Sequence, residues 1–206
     1  MKQGPFENVF FDLGVVLLHL IYEPAVKELI AHCDPARHHT TQSFFSLLGR
    51  THLVDDYERG DLTAAEYFAK FRDATGFRGG FESFAAIWRS IFEENTPMID
   101  FARDLAKRHR VYILTNASDL HVPWVFERYP RLNFFTDYAC SCYLRATKPS
   151  PEFYKRSLEK FGTPAGTCLF IDDRPENVEG AEACGIRSIL YTTPEATIGA
   201  VIRALE

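Results

Sequence analysis

Asp12-Leu13-Gly14, Thr115-Asn116, Lys148-Pro149 and Asp172-Asp173 each follow an apolar run, and together they carry the groups that phosphoryl transfer needs. A carboxylate can attack phosphorus and form an aspartyl-phosphate intermediate. Phosphoryl oxygens need donors, which a threonine hydroxyl, an asparagine amide, backbone N–H groups and an ammonium supply. Several carboxylates crowded around a phosphate repel one another unless a hard cation lies between them, and magnesium prefers such oxygen ligands. Each segment alone is weak evidence, because an Asp or a Thr-Asn pair after a strand is usually a cap or a turn. Adjacent aspartates at a strand end say more, since burying both without a partner is costly. The joint occurrence in this order is the strong signal.

These residues meet in space only if the apolar runs are neighbouring parallel strands. Val9–Phe11, Val111–Leu114, Tyr138–Cys142, Leu169–Ile171 and Ser188–Tyr191 are short and apolar, as strands covered on both faces should be. Helical patterns alternate with them, so the expected fold is α/β: a Rossmann-like three-layer core around a parallel sheet, whose ligands bind at the carboxyl ends of the strands. Ser150-Pro151 starts a helix that Gly162 ends, Thr193-Pro194 starts the last helix, and Gly185 closes the one opening near Pro175.

The stretch from Glu23 to Asn95 breaks the alternation. Thr63-Ala64-Ala65-Glu66 is a capping box, Phe81 to Phe92 is a second helix candidate, and no convincing strand appears. Eight of the chain's 18 phenylalanines fall here, which predicts a small aromatic helical core rather than a surface for stacking bases. The expected division is therefore a core of residues 1–20 and 96–206 and a helical cap of residues 21–95. The cap is placed where a lid over the sheet's ligand site would attach.

A net charge of -5 and a pI near 5.8 argue against a nucleic-acid partner. The run from Val9 to Ile21 is broken by Asp12 and His19 and reads as a buried strand, not a membrane span or signal peptide. Five irregularly spaced cysteines predict reduced core thiols and a cytoplasmic location; Cys140 and Cys142 would share one strand face.

The same segments resemble the haloacid dehalogenase-like (HAD) hydrolase superfamily over essentially the whole chain. Asp12 matches the family's nucleophile, Thr115 its second-motif hydroxyl, Lys148 its third-motif lysine, and Asp172-Asp173 its fourth-motif acidic pair. Asp-Leu-Gly-Val-Val, Thr-Asn-Ala-Ser, Lys-Pro-Ser-Pro-Glu and Ile-Asp-Asp-Arg-Pro-Glu-Asn are similar to the branch holding sugar-1-phosphate phosphatases and the N-terminal phosphatase domain of soluble epoxide hydrolases. The resemblance implies a magnesium-dependent phosphomonoester hydrolase acting on a small phosphorylated metabolite, a sugar phosphate being one candidate. It implies Mg²⁺ held by Asp12, the Gly14 carbonyl and Asp173, with Asp172 bound directly or through water. Lys148 joins Asp12 in catalysis, and Thr115 and Asn116 bind substrate.

The departure from the family is Gly14, where most of its phosphatases carry an aspartate that protonates the leaving oxygen and then activates water. Losing positioned acid–base help typically costs about 10²–10⁴-fold in rate. The loss falls hardest on poor alkoxide leaving groups. His19 is the expected surrogate next to substrate, with His121 a weaker one, because an unperturbed imidazole titrates in the right range. Two rivals remain: a non-catalytic phosphometabolite binder, for which Gly14 speaks, and a haloacid dehalogenase, against which the retained acidic pair speaks. Tyr22, Arg50, Tyr57 and Trp88 are the cap residues whose placement the sequence leaves open.

Overall fold

The computed structural model describes residues 6–206. Five parallel strands, β1 (Asn8–Phe11), β4 (Arg110–Thr115), β5 (Asp137–Cys140), β6 (Cys168–Asp172) and β7 (Arg187–Leu190), lie in the order β5-β4-β1-β6-β7. Their side chains alternate between two apolar layers, as the two-residue period of a strand requires. Val9, Phe11, Val111, Ile113, Leu169 and Ile171 face α6 (Thr96–Leu105), α7 (Val122–Arg128) and α11 (Pro194–Leu205). Phe10, Tyr112, Leu114 and Phe170 face α9 (Pro151–Phe161) and α10 (Pro175–Ala183). The predicted helix boundaries recur: Ser150 caps α9, Gly162 ends it at φ 62°, and Thr193 caps α11.

Register positions the chemistry. Phe11 pairs with Ile113 on one side and with Ile171 on the other, so the next residues, Asp12, Leu114 and Asp172, come level at the strands' carboxyl ends.

Between β2 (Leu18–Leu20) and β3 (Phe92–Glu94) lies an insert of five helices: α1 (Tyr22–Ala31), α2 (Thr41–Thr51), α3 (Leu53–Glu58), α4 (Ala64–Thr75) and α5 (Phe81–Arg89). It has its own core around Phe44, Tyr67, Phe71, Phe77 and Phe84, the aromatic packing the composition predicts. Thr63 and Glu66 form the predicted reciprocal capping box at α4.

Three local expectations are corrected. The run from Val9 to Ile21 is not one strand: it stops at Phe11, turns through buried Leu13, Val16 and Leu17, and resumes as β2. A turn packed inside the core carries the same apolar residues as a strand, so composition does not separate them. The helix from Phe81 ends at Arg89, and Phe92–Glu94 forms a strand pairing with β2. Three residues including two glutamates show no strand pattern. Cys142 belongs to a short helix, α8 (Ser141–Leu144), although its Sγ still lies 3.3 Å from that of Cys140.

Candidate active site

Lys148 is the centre of the site. It is 4% exposed, and its ammonium donates to Asp12 Oδ1 at 2.7 Å, Asp172 Oδ2 at 2.6 Å and the Leu114 carbonyl at 3.0 Å. All three N–H donors are thus used. The loop that carries Lys148 is held by Asn116, whose amide accepts from the Lys148 N–H at 2.9 Å and donates to its carbonyl at 3.0 Å. Asn116 therefore positions the lysine, and it also lines the cavity next to Asp12.

Asp172 is fully buried and its other oxygen, Oδ1, accepts from the Arg174 N–H and from Asn177 Nδ2, both at 2.9 Å. It ties Lys148 to the start of α10. Asp12, Asp172 and Asp173 each place a carboxylate oxygen within 4.8 Å of the others. Three carboxylates against one ammonium leave an excess of negative charge. Burial and Asp172 push the Asp12 carboxyl up to about 7, while Lys148 pulls it down. Asp173 is raised for the same reasons, burial first. The Lys148 pKa rises despite burial, because two aspartates surround it. This is an environment that a divalent cation would relieve, and the donors are the hard oxygens magnesium takes.

Asp12, Gly14, Thr115, Lys148 and Asp173 line one cavity of about 270 Å³, together with Asn116, Tyr22, Glu58 and Arg174. The turn bearing Gly14 is strained. Val15 has φ 62°, a conformation worth roughly 1–3 kcal/mol against a β-branched residue. Val15 N–H to the Leu18 carbonyl and Asn95 Nδ2 to the Val16 carbonyl hold it there.

The two histidines part from expectation. His19 is exposed on β2, and the two-residue period turns Leu20, not His19, toward Gly14 and the cavity. His121 is buried between the rings of Trp88 and Phe92, and burial lowers its pKa to about 4. Its Nε2 lies 3.1 Å from the Trp88 carbonyl, which can only accept, so Nε2 carries the proton of a neutral ring. Neither histidine is placed as an acid toward Asp12. Of the unassigned insert residues, Tyr22 reaches the Asp12 cavity, Trp88 lines an adjoining one, Tyr57 bonds Asp119, and Arg50 is exposed.

Sequence reasoning missed Glu58. It ends α3 and lines the Asp12 cavity, yet within Asp55-Asp56-Tyr57-Glu58-Arg59 it reads as one more charge on a solvated helix. The signal that would have found it is Gly60. At φ 82° a Cβ there would collide with the Cys142 carbonyl oxygen, so this helix end must press against α8, the short helix that follows β5.

The sequence profile of the haloacid dehalogenase-like hydrolases matches residues 6–185. The chain is 25% identical over 198 residues to the sesquiterpene phosphatase AstK of Aspergillus oryzae, covering 93% of each. Over 117 residues it is 32% identical to a phosphatase of Mycobacterium tuberculosis, covering 55% of this chain and 54% of that one. A HAD family enzyme of Bacteroides thetaiotaomicron, solved in complex with magnesium and inorganic phosphate, superposes with a TM-score of 0.79. It shares 26% identity and is matched over 91% of this chain and 94% of its own. A profile match over most of its length, on a sheet that brings the four polar segments together, means that the chain belongs to the haloacid dehalogenase-like hydrolases.

Proposed function

We propose that this protein is a magnesium-dependent phosphomonoester hydrolase working through an aspartyl-phosphate at Asp12. The observation that carries the reading is the buried Asp12–Lys148–Asp172 array, with Asp173 beside it and Thr115 on the cavity wall. Relatives named as phosphatases support it. Asp12 attacks phosphorus, and Lys148 holds the attacking carboxylate in place while offering positive charge beside it. Thr115 donates to a phosphoryl oxygen; Asn116 keeps the Lys148 loop in register. Asp12 and Asp173 would hold magnesium, with the Gly14 carbonyl completing the set, because Asp172 already has both oxygens engaged. The chemistry magnesium supplies when bound is neutralisation of the phosphoryl and carboxylate charge. The helical insert acts as a cap over the phosphate site.

Phosphate release from p-nitrophenyl phosphate, glucose 1-phosphate and glucose 6-phosphate, with EDTA and with magnesium restored, tests this reading. Release is expected to fall to background in EDTA and to return with magnesium but only weakly with calcium, whose longer bonds and looser geometry suit the cluster less. Metal-independent release, or none above the Asp12→Asn variant, would reject it. The second outcome would favour the phosphate-binding scaffold that Gly14 alone suggests.

A further inference from the structure

The Asp12 cavity does not end at the phosphate site. A narrow throat of about 60 Å³, bordered by Gly14, Thr115, Tyr22, Glu58 and His121, leads from it under the helical insert. Beyond lies a chamber of about 340 Å³ that shares Tyr22 and Glu58 with the phosphate cavity and Ile91 and His121 with the throat. Its walls are mainly Val26, Phe45, Leu48, Val54, Trp88 and Ile91, with Asp55, Glu58, His121 and Tyr22 the polar side chains among its lining. At its rim Tyr22 and Phe45 meet edge to face while remaining 44% and 41% exposed. Protein interiors close over empty apolar space unless something fills it. A sugar here would find few partners for its hydroxyls, and each one left unpaired would cost about 1–3 kcal/mol.

Resting on the hydrolase reading, we propose that this chamber takes the hydrocarbon body of the substrate, so that the substrates are phosphomonoesters of apolar alcohols rather than of sugars. The test is a series of methyl, butyl and octyl phosphate alongside glucose 6-phosphate, with calorimetric binding of methyl- and octylphosphonate as a second readout. kcat/KM is expected to rise two- to fourfold per methylene, the upper value following from about 0.8 kcal/mol per buried CH₂, until the chamber fills. Octylphosphonate should bind at least about a hundredfold more tightly than methylphosphonate by the same count. Gly49 lines the chamber and a Cβ added there meets nothing within 4 Å, so Gly49→Leu should fill space without strain and flatten the chain-length series. Release that is flat across the series, or fastest with glucose 6-phosphate, overturns the chamber assignment and leaves the hydrolase standing. No release from any ester, p-nitrophenyl phosphate included, rejects the hydrolase. Equal binding of the two phosphonates would then overturn the chamber as well.

A different observation bears on Gly14. A Cβ there would meet Leu20 Cδ1 at 3.2 Å, so an apolar side chain occupies the wall where the family's acid stands. Across the same cavity, Glu58 and Asp173 are the carboxyl groups with no cation in direct contact, and of the two only Glu58 lies outside the Asp12–Asp172–Asp173 cluster. Its backbone is pinned to the core by Ser141, whose Oγ donates to the Glu58 carbonyl and accepts the Ala117 N–H at 3.0 Å, two residues past Thr115. Tyr57 to Asp119 and Arg145 to the Gly60 carbonyl clamp the flanking residues. The groups acting on it are Asp55 and Asp12, which discourage its ionisation, and Lys148 and Arg174, which favour it; Tyr22, Tyr67 and Cys140 are near enough to feel its charge. Burial is the largest influence and pushes the carboxyl up to about 8.

The geometry points to Glu58 as the proton donor and acceptor that position 14 lacks. As Asp12 Oδ bonds to phosphorus and the ester P–O bond breaks, the Glu58 proton passes to the departing alkoxide. As water then bonds to phosphorus and the Asp12–phosphorus bond breaks, a water proton returns to Glu58. Glu58→Gln keeps the shape and removes no ion pair. It should lower kcat/KM about 10²–10⁴-fold on octyl phosphate but far less on p-nitrophenyl phosphate, whose leaving group needs no proton. On the latter, a burst of p-nitrophenol matching the enzyme concentration should appear, because the phosphoenzyme forms and drains slowly. A loss equal on both substrates, or no loss, overturns the assignment.

Discussion

Asp12→Asn should abolish turnover, lowering kcat by about 10⁴–10⁶-fold as removal of a nucleophile does elsewhere, while leaving the fold as stable as before or more so without metal. The first half follows from the amide's inability to form an acyl-phosphate. The second follows from charge. Asp12, Asp172 and Asp173 crowd their carboxylates within 4.8 Å, and Lys148 provides the one ammonium in contact with Asp12 and Asp172. Replacing Asp12 with its neutral isostere relieves repulsion and keeps an oxygen for the Lys148 ammonium at the 2.7 Å contact. Thermal melts in EDTA should therefore show an unchanged or raised Tm, and magnesium should stabilise the variant less than it stabilises the native chain. An inactive variant with a collapsed Tm would mean that Asp12 is structural, and its inactivity would say nothing about chemistry.

The residues that meet around Lys148 were legible because each is fixed by local pattern. Asp12, Thr115 and Asp172 stand at the ends of apolar strands, and parallel register alone brings such ends together. Ser150, Gly162, Thr63 and Thr193 mark helix ends by their own backbone chemistry and need no tertiary contact. What failed depends on packing between segments distant in sequence. His19 is near Asp12 along the chain, but strand parity turns it outward and Leu20 inward. That Asn116 also clamps the Lys148 loop, 32 residues away, through both ends of its amide shows only in three dimensions. Glu58 is 46 residues from Asp12, and only the close approach of Gly60 to Cys142 delivers it to the cavity. The apolar chamber was hidden for the same reason: Phe45, Leu48 and Trp88 look like core residues, and only three dimensions show which of them face empty space.

Lys148→Met is expected to be the most damaging single change, in both stability and rate. The lysine's side chain is 1% exposed and its partner Asp172 is 0% exposed, so the lost ammonium cannot be replaced by water. Breaking a buried pair by removing one partner typically costs about 3–5 kcal/mol, because the remaining charge stays buried and uncompensated. For a chain of 206 residues each kcal/mol moves Tm by about 2–4 °C, so a fall of roughly 6–20 °C in EDTA is expected. Turnover should be lost with it, since Asp12 loses its anchor and the phosphoryl group loses a neighbouring positive charge. Adding Asp172→Asn to Lys148→Met removes the stranded carboxylate and should recover much of the Tm without recovering rate. That split separates the two roles: the cation balances Asp172 for folding and serves Asp12 for chemistry. If the single variant melts like the native chain in EDTA, the buried array contributes little to the fold, and its tight geometry is to be explained by catalysis alone.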